Sequence, residues 1–396
     1  MSDPAQTPSS EKPAALRIFL VAAEESGDRL GAALMRALRQ RAAAPIRFAG
    51  VGGRAMIGEG LQSLHPIDDF SIVGFTAIPA RLPRIVRHLR ETLRAVRREK
   101  PHVLVIIDSP GYTQWVAWFV RRADPTIPIV DYVSPSVWAW HSSRARSMRS
   151  YIDHVLALLP FEPEVHKRLG GPPCTYVGHP LIEQIESLRP NAEEARRRSA
   201  DPPLVLLLPG SRSGEVRRLA EPFGEAVAMV RDRIGPIDLV IPGVPHLRAQ
   251  LVDATRNWRV QPRLLFEETE KRAAFRAARV ALAKSGTVTL ELALAGVPMV
   301  TAYKGSAFEI WLARRLVSVP SIILANLVLG ENVVPEFVQE QATAQNLAAA
   351  LVPLVGDTPE RRKQVEAFAK LDGIMEIGSR APAARAADIV LGLLDK

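Results

Sequence analysis

Short apolar runs alternate with longer segments whose apolar residues recur every three or four positions, and this rhythm persists almost to the end of the chain. Strand-length runs between amphipathic helices are the mark of βα units assembled into parallel sheets. In the first half the pattern predicts strands over Leu16–Ala22, Arg47–Val51, His102–Ile107, Ile127–Tyr132 and His154–Leu158. Helices are predicted over Ser26–Arg41, Pro83–Lys100, Tyr112–Arg122 and Pro163–Leu169. A polar, arginine-rich passage from Glu183 to Pro203, punctuated by Pro190, Pro202 and Pro203, interrupts the rhythm as a domain connection would. The alternation then restarts. Strands are predicted over Leu204–Leu208, Ile237–Ile241, Arg263–Phe266, Val280–Ala283 and Met299–Ala302. Helices fall over Glu215–Arg233, Thr269–Ala277, Thr287–Ala295 and Ala307–Leu316, and Ala383–Leu394 reads as a last amphipathic helix. The fold class is α/β, with two doubly wound domains.

Composition narrows the function classes. At 396 residues, 47% hydrophobic and 23% charged, the chain suits two ordinary globular domains with separate cores. Its apolar runs are too short and too often broken by charge to span a bilayer. Met1 to Pro13 carries no apolar core and reads as a disordered tail, not a signal peptide. The single cysteine, Cys174, excludes an internal disulfide and a cysteine-based metal cluster, and it fits a reducing, cytoplasmic setting. A net charge of +9 favours an anionic partner: nucleic acid, an acidic membrane face or a phosphorylated substrate.

Candidate chemistry sits where predicted strands end. Ligands of open α/β sheets bind at the carboxyl ends of the strands. After the first strand come Glu24, Glu25, Ser26, Gly27 and Asp28, without the three-glycine spacing of a dinucleotide fingerprint, so hydride transfer is disfavoured. Ser26 and Asp28 suit the start of a helix on capping grounds alone. Asp108 follows the strand ending at Ile107. It could take a proton from an attacking hydroxyl or merely cap the helix from Tyr112. The run Tyr132-Val133-Ser134-Pro135-Ser136-Val137-Trp138-Ala139-Trp140 is poor material for a solvated turn, and its indoles offer broad flat surface with one donor each.

In the second half, Pro209-Gly210-Ser211-Arg212 lets backbone amides approach an anion, and Arg212 could add paired hydrogen bonds to a diphosphate. Lys284-Ser285-Gly286-Thr287 ends another strand, with Glu291 one turn on. This reads both as a capped helix start and as a phosphate and ribose contact. No histidine pair has metal-ligand spacing along the chain. A further stripe, Ile85, Leu89, Leu93 and Val96, lies among Arg81, Arg84, Arg87, Arg90, Arg94, Arg97, Arg98 and Lys100, just after the apolar run Ile72–Ile78. It reads as one packed and one solvated face, or as a patch that touches anionic lipid. Without interleaved aromatics or a recognised module, it does not read as a nucleic-acid face.

Taken in order, these runs resemble the signatures of the lipid-A-disaccharide synthase family over nearly the whole chain. The Tyr132–Trp140 run, Asp108-Ser109-Pro110, Val177-Gly178-His179-Pro180-Leu181, Leu208-Pro209-Gly210-Ser211-Arg212 and Ser285-Gly286-Thr287 with Leu290-Glu291 carry the likeness. Ala23, Glu25, Gly111, Ala325 and Glu331 depart from the family pattern. The resemblance implies a GT-B fold: two Rossmann-like domains facing a cleft, with a carboxyl-terminal helix crossing back to the first. It divides the chain into a tail (1–15), an acceptor-side domain (16–185), a UDP-sugar-binding domain (200–375) and the returning helix (376–396).

The implied activity is inverting hexosyl transfer from UDP-2,3-diacylglucosamine to 2,3-diacylglucosamine 1-phosphate, without a cofactor or metal. Asp108 is the implied base, with Glu24 second. Ser26, Gly27, Asp28, Ser211, Arg212, Ser285, Gly286, Thr287, Glu291 and Asn326 are the implied substrate contacts, and His179 is a hinge or packing residue. The implied setting is cytoplasmic, against the inner face of the inner membrane, with an anionic membrane surface and no nucleic acid as partners; homodimerisation stays open. Another GT-B enzyme such as a UDP-sugar epimerase, or a non-catalytic UDP-sugar or lipid-binding protein, are the competing readings.

Overall fold

A computed structural model describes residues 15–67, 78–306, 321–376 and 380–394, with 78–81 described by backbone alone. The amino-terminal tail, the apolar run from Ile72 and the helix expected over Ala307–Leu316 lie outside the described residues. The chain divides into two compact units. The first runs to Val137, resumes over Ser142–Gly178 and takes in the terminal segment from Arg380; the second comprises Trp138–His141 and the chain from His179 to Ser379.

The first unit is built on seven strands: β1 (Leu16–Ala22), β2 (Ile46–Val51), β3 (Gln62–Ser63), β4 (Val103–Ile107), β5 (Ile129–Tyr132), β6 (His154–Ala157) and β7 (Cys174–Tyr176). They lie in the order β3-β2-β1-β4-β5-β6-β7, and every pairing is parallel. All five residues of β4, Val-Leu-Val-Ile-Ile, are buried, as a central strand covered on both faces requires. The two-residue period of β1 divides the core. Ile18, Leu20 and Ala22 pack under the helix Glu25–Arg41. Phe19, Val21 and Ala23 pack under the helices Ile78–Glu99 and Tyr112–Ala123. The terminal helix, Pro382–Gly392, places Ala383, Ala386, Ala387 and Val390 in the same core as Leu34 and Leu38 of Glu25–Arg41. Arg41 pairs with Asp388 across that seam.

The second unit holds β8 (Leu204–Leu208), β9 (Asp238–Pro242), β10 (Arg263–Leu265), β11 (Val280–Lys284), β12 (Met299–Tyr303) and β13 (Glu336–Val338). Their order is β10-β9-β8-β11-β12-β13, again wholly parallel. The arginine-rich passage, expected as a plain connection, contains helices at Ile185–Leu188 and Ala192–Ser199. The second has no apolar stripe. Asn191 and Glu194 close a capping box at its start, and Arg198 donates to the carbonyls of Arg276, Ala295 and Gly296. These bonds and the ion pairs Glu194–Arg276 and Arg197–Asp238, not hydrophobic burial, dock this segment.

In both sheets the order reverses direction between two central strands, β1 and β4 in one and β8 and β11 in the other. Such switch points part the loops at the strands' carboxyl ends and leave a crevice for ligand. Glu24, Ser26 and Asp108 gather at the first of these points, and Arg212 and Ser285 follow the central strands of the second.

Candidate functional site

In the first unit, β1 runs through Glu24 into its helix, and β4 delivers Asp108. The Ser26 hydroxyl donates to Asp108 Oδ2 at 2.7 Å, and the Ser109 amide donates to Asp108 Oδ1 at 2.7 Å. The Ser109 hydroxyl reaches Glu24 Oε1 at 3.0 Å, and Thr113 Oγ1 donates to the Asp108 carbonyl at 2.7 Å. Asp108 and Ser109 have φ of 55° and 51°, a left-handed pair that costs on the order of 1–3 kcal/mol per residue. The surrounding bonds hold that conformation. Gly27 lies in close quarters: a Cβ there would lie 3.1 Å from the Ile107 carbonyl oxygen and 3.4 Å from Asp108 Cβ.

Asp28 sits apart from this group. It is buried, and its carboxylate accepts the amides of Gly53 (2.7 Å), Ala55 (2.8 Å) and Met56 (3.0 Å). One oxygen pair thus caps the short helix Arg54–Gly58.

Asp131 on β5 escaped the sequence reading. It is fully buried, and Gln114 Nε2 donates to its Oδ2 at 2.6 Å while the Tyr151 hydroxyl donates to Gln114 Oε1 at 3.0 Å. Burial first, and the charge of Asp108 to a lesser degree, push its pKa up to about 8 despite the Gln114 bond. An aspartate inside an apolar strand run was the available signal. In the Tyr132–Trp140 run, Tyr132, Ser134 and Val137 are buried whereas Trp140 is exposed. Ser134 meets His166 Nε2 at 2.9 Å, and burial lowers the His166 pKa.

In the second unit, β8 leads into Gly210, whose φ is 122°. The amides of Ser211 and Arg212 both donate to Glu215 Oε2, at 3.1 and 3.3 Å. Lys284 Nζ, at the end of β11, lies 3.1 Å from Glu215 Oε1, and Arg212 Nη1 lies 3.5 Å from it. The loop therefore forms an anion-accepting nest, as its small residues suggested, but a carboxylate of the chain fills it. The sequence reading missed Glu215 and Lys284 as partners. A Cβ on residue 210 would come 2.4 Å from Glu215 Oε2, so glycine is needed there for contact as well as for φ. The Arg212 side chain is 78% exposed.

Ser285 is buried, and its hydroxyl has no hydrogen-bond partner among the described residues. The Gly286 carbonyl accepts from Thr289 Oγ1 at 2.8 Å, and Thr287 stands exposed before the short helix Val288–Leu294. Burial, then the charge of Glu268, raises the pKa of Glu291. Asn326 is buried and internally engaged: Nδ2 donates to the Val334 carbonyl at 3.0 Å, while Oδ1 accepts the amides of Val333 (3.1 Å) and Val334 (2.9 Å).

A separate surface lies on the helix Tyr112–Ala123. Trp115, Trp118 and Phe119 are 48%, 40% and 40% exposed, and the Arg122 guanidinium stacks over Trp118 at 4.7 Å. In the neighbouring helix Ile78–Glu99 the predicted stripe of Ile85, Leu89 and Val96 is core. No described helix is long and apolar enough to cross a membrane.

The chain is 58% identical over 378 residues to the lipid-A-disaccharide synthase of Rhodopseudomonas palustris (strain BisB18), covering 96% of each chain. It is 59% identical over 375 residues to that of Nitrobacter hamburgensis, covering 95% of each. Among solved structures it is similar in fold to the S. aureus MnaA–UDP co-structure, with a TM-score of 0.63 at 13% identity over 96% of this chain and 98% of that one. A family model described as lipid-A-disaccharide synthetase matches residues 18–390. With that match spanning both sheets and both switch points, the chain belongs to the lipid-A-disaccharide synthetase family.

Proposed function

We propose that this chain is a lipid-A-disaccharide synthase: it transfers 2,3-diacylglucosamine from its UDP donor to 2,3-diacylglucosamine 1-phosphate, forming the β-1,6-linked disaccharide 1-phosphate and releasing UDP. The observation that carries the mechanism is the Asp108 carboxylate, fixed by the Ser26 hydroxyl and the Ser109 amide at the sheet's switch point. Asp108 accepts the proton of the acceptor 6-hydroxyl as that oxygen attacks the donor's anomeric carbon opposite UDP. The new C–O bond forms as the anomeric C–O bond to the diphosphate breaks, and the electron pair leaves with UDP.

The second unit supplies the donor contacts. Arg212 and Lys284 neutralise charge growing on the departing diphosphate, and the Ser285 hydroxyl and the turn at Gly286 and Thr287 line the same switch point. A diphosphate that takes the Ser211 and Arg212 amides displaces the Glu215 carboxylate. Glu291 holds the ribose hydroxyls. Asp28 and Asn326, whose polar atoms are engaged internally, shape the loops that the substrates meet. The reaction is tested by UDP release from purified protein and donor, with and without acceptor. Acceptor-dependent UDP together with a disaccharide product by mass spectrometry supports the reading; donor binding without turnover favours a binding protein.

The acylated substrates reach the enzyme at an anionic membrane face. Exposed Trp115, Trp118 and Phe119 beside Arg122 support this, because indoles and guanidinium groups settle at the headgroup level. Co-sedimentation with vesicles containing anionic lipid should fall several-fold in the Trp115→Ser/Trp118→Ser double variant. Unchanged sedimentation would move the contact elsewhere.

A further inference from the structure

We propose that His65, His88 and Glu91 form a binding site for a divalent transition metal of the zinc class, separate from the transfer chemistry. Folding brings the three together. His65 follows β3, whereas His88 and Glu91 stand three positions apart on the helix Ile78–Glu99 and so share one face. His88 Nδ1 lies 3.3 Å and His65 Nδ1 3.9 Å from the same carboxylate oxygen, Glu91 Oε2. One ligand atom from each residue falls within 4.8 Å of the others. Both histidine side chains are buried, while Glu91 is 43% exposed and retains freedom to move.

Two imidazole nitrogens and one carboxylate oxygen suit a borderline cation, and three protein ligands leave a fourth position for water. Tetrahedral bonds of about 2.0–2.2 Å place ligand atoms roughly 3.3–3.6 Å apart. The widest separation in the trio therefore has to close by about 1 Å. The two rings, stacked with centroids 4.3 Å apart and planes 26° from parallel, also have to splay so that both lone pairs converge. A swing of Glu91 away from its 3.9 Å pairing with Arg87 supplies part of that movement.

An outer partner stands behind His65. His65 Nε2 lies 3.5 Å from the Tyr112 hydroxyl, which is itself 2.9 Å from Thr92 Oγ1. In the tautomer whose Nε2–H points to the Tyr112 oxygen, Nδ1 would turn its lone pair to the ion, the arrangement in which an outer partner orients a ligating histidine. The ion would tie the segment carrying His65 to the helix carrying His88, with Tyr112 as its outer support.

The test is Zn2+ titration of the chelator-treated full chain by calorimetry, with thermal melting at each metal ratio. One ion per chain and a raised Tm are expected. Glu91→Gln should weaken binding at least 10-fold and lose most of the Tm rise, and Tyr112→Phe should weaken it by about 10-fold. His246→Gln, on a different unit, should bind as the parent does. No stoichiometric binding by the parent chain, or parent-like binding by both Glu91→Gln and His65→Gln, would overturn the site. Glu91 is half-exposed, so its variant keeps the fold, and the far-ultraviolet circular dichroism and UDP binding of each variant verify that.

Discussion

At the first unit's switch point, the ends of β1 and β4 gather Glu24, Ser26 and Asp108; at the second, the ends of β8 and β11 gather Arg212, Lys284 and Ser285 around Glu215. The two sheets have the same order through their first six strands and the same parallel sense. One topology thus presents a carboxylate held by hydroxyl and amide donors in one unit, and cations beside amides that the Glu215 carboxylate occupies in the other. Strand order decides where a site can form, and the few residues after each strand decide its sign. In the proposed mechanism the first serves as proton acceptor and the second meets the leaving diphosphate.

The largest effect should come from the residue on which the first site's chemistry depends. Asp108→Asn keeps the side chain's shape but removes the base, so kcat should fall by about 10²–10⁴. UDP affinity, which the proposed mechanism assigns to the second unit, should stay within about twofold. Near-parent turnover in this variant would remove Asp108 as the base and erase the contrast between the units.

Asp28 separates scaffold from site within the first unit. Asp28→Ala strands three amide donors, at Gly53, Ala55 and Met56. The expected loss is about 3 kcal/mol of stability by denaturant melting. At low temperature, with the chain still folded, UDP affinity should not change. A stable variant with impaired substrate binding would put Asp28 in the site itself.

Arg212→Ala probes the other unit. A charge-assisted bond of about 1.5–3 kcal/mol implies roughly 10- to 100-fold weaker UDP binding. Uridine, which lacks the diphosphate, should bind as before. Equal losses for UDP and uridine would mean that Arg212 orders the loop and does not meet phosphate.

Much of this architecture was legible in the chain. Continuous runs such as Val103–Ile107 and Leu204–Leu208 read as buried parallel strands, and Asp108 and Ser285 became candidates because each lies at the end of such a run. The edge strands β3, β7 and β13 were missed. Each has only two or three residues and mixed exposure, too little for a period to register. The helix Ala192–Ser199 was invisible for another reason: it is polar all round, and its docking depends on arginine bonds to distant carbonyls. Partnerships across the chain were hidden too. Nothing in Gly210-Ser211-Arg212 announces that Glu215 and Lys284 will close over it, and linear spacing does not pair His65 with His88.

Asp131 gives the most specific prediction, because it asks whether the first unit's interior tolerates a second carboxylate charge. Its pKa is about 8 in the fold against an ordinary value of 3.8, with burial the main cause. Below the lower value both states are protonated, and the group's contribution to stability is fully present. As pH rises toward the higher value, the unfolded chain ionises while the folded chain holds its proton, so that contribution is progressively lost. Asp131→Asn is neutral throughout and should remove this part of the slope. Its Tm should gain on the parent's steadily between pH 3.8 and about 8, and the two curves should run parallel above that. Parallel curves across the whole range would mean that Asp131 ionises as readily in the fold as out of it. The Gln114–Tyr151 network behind β5 would then have to support a second anion close to the Asp108 charge.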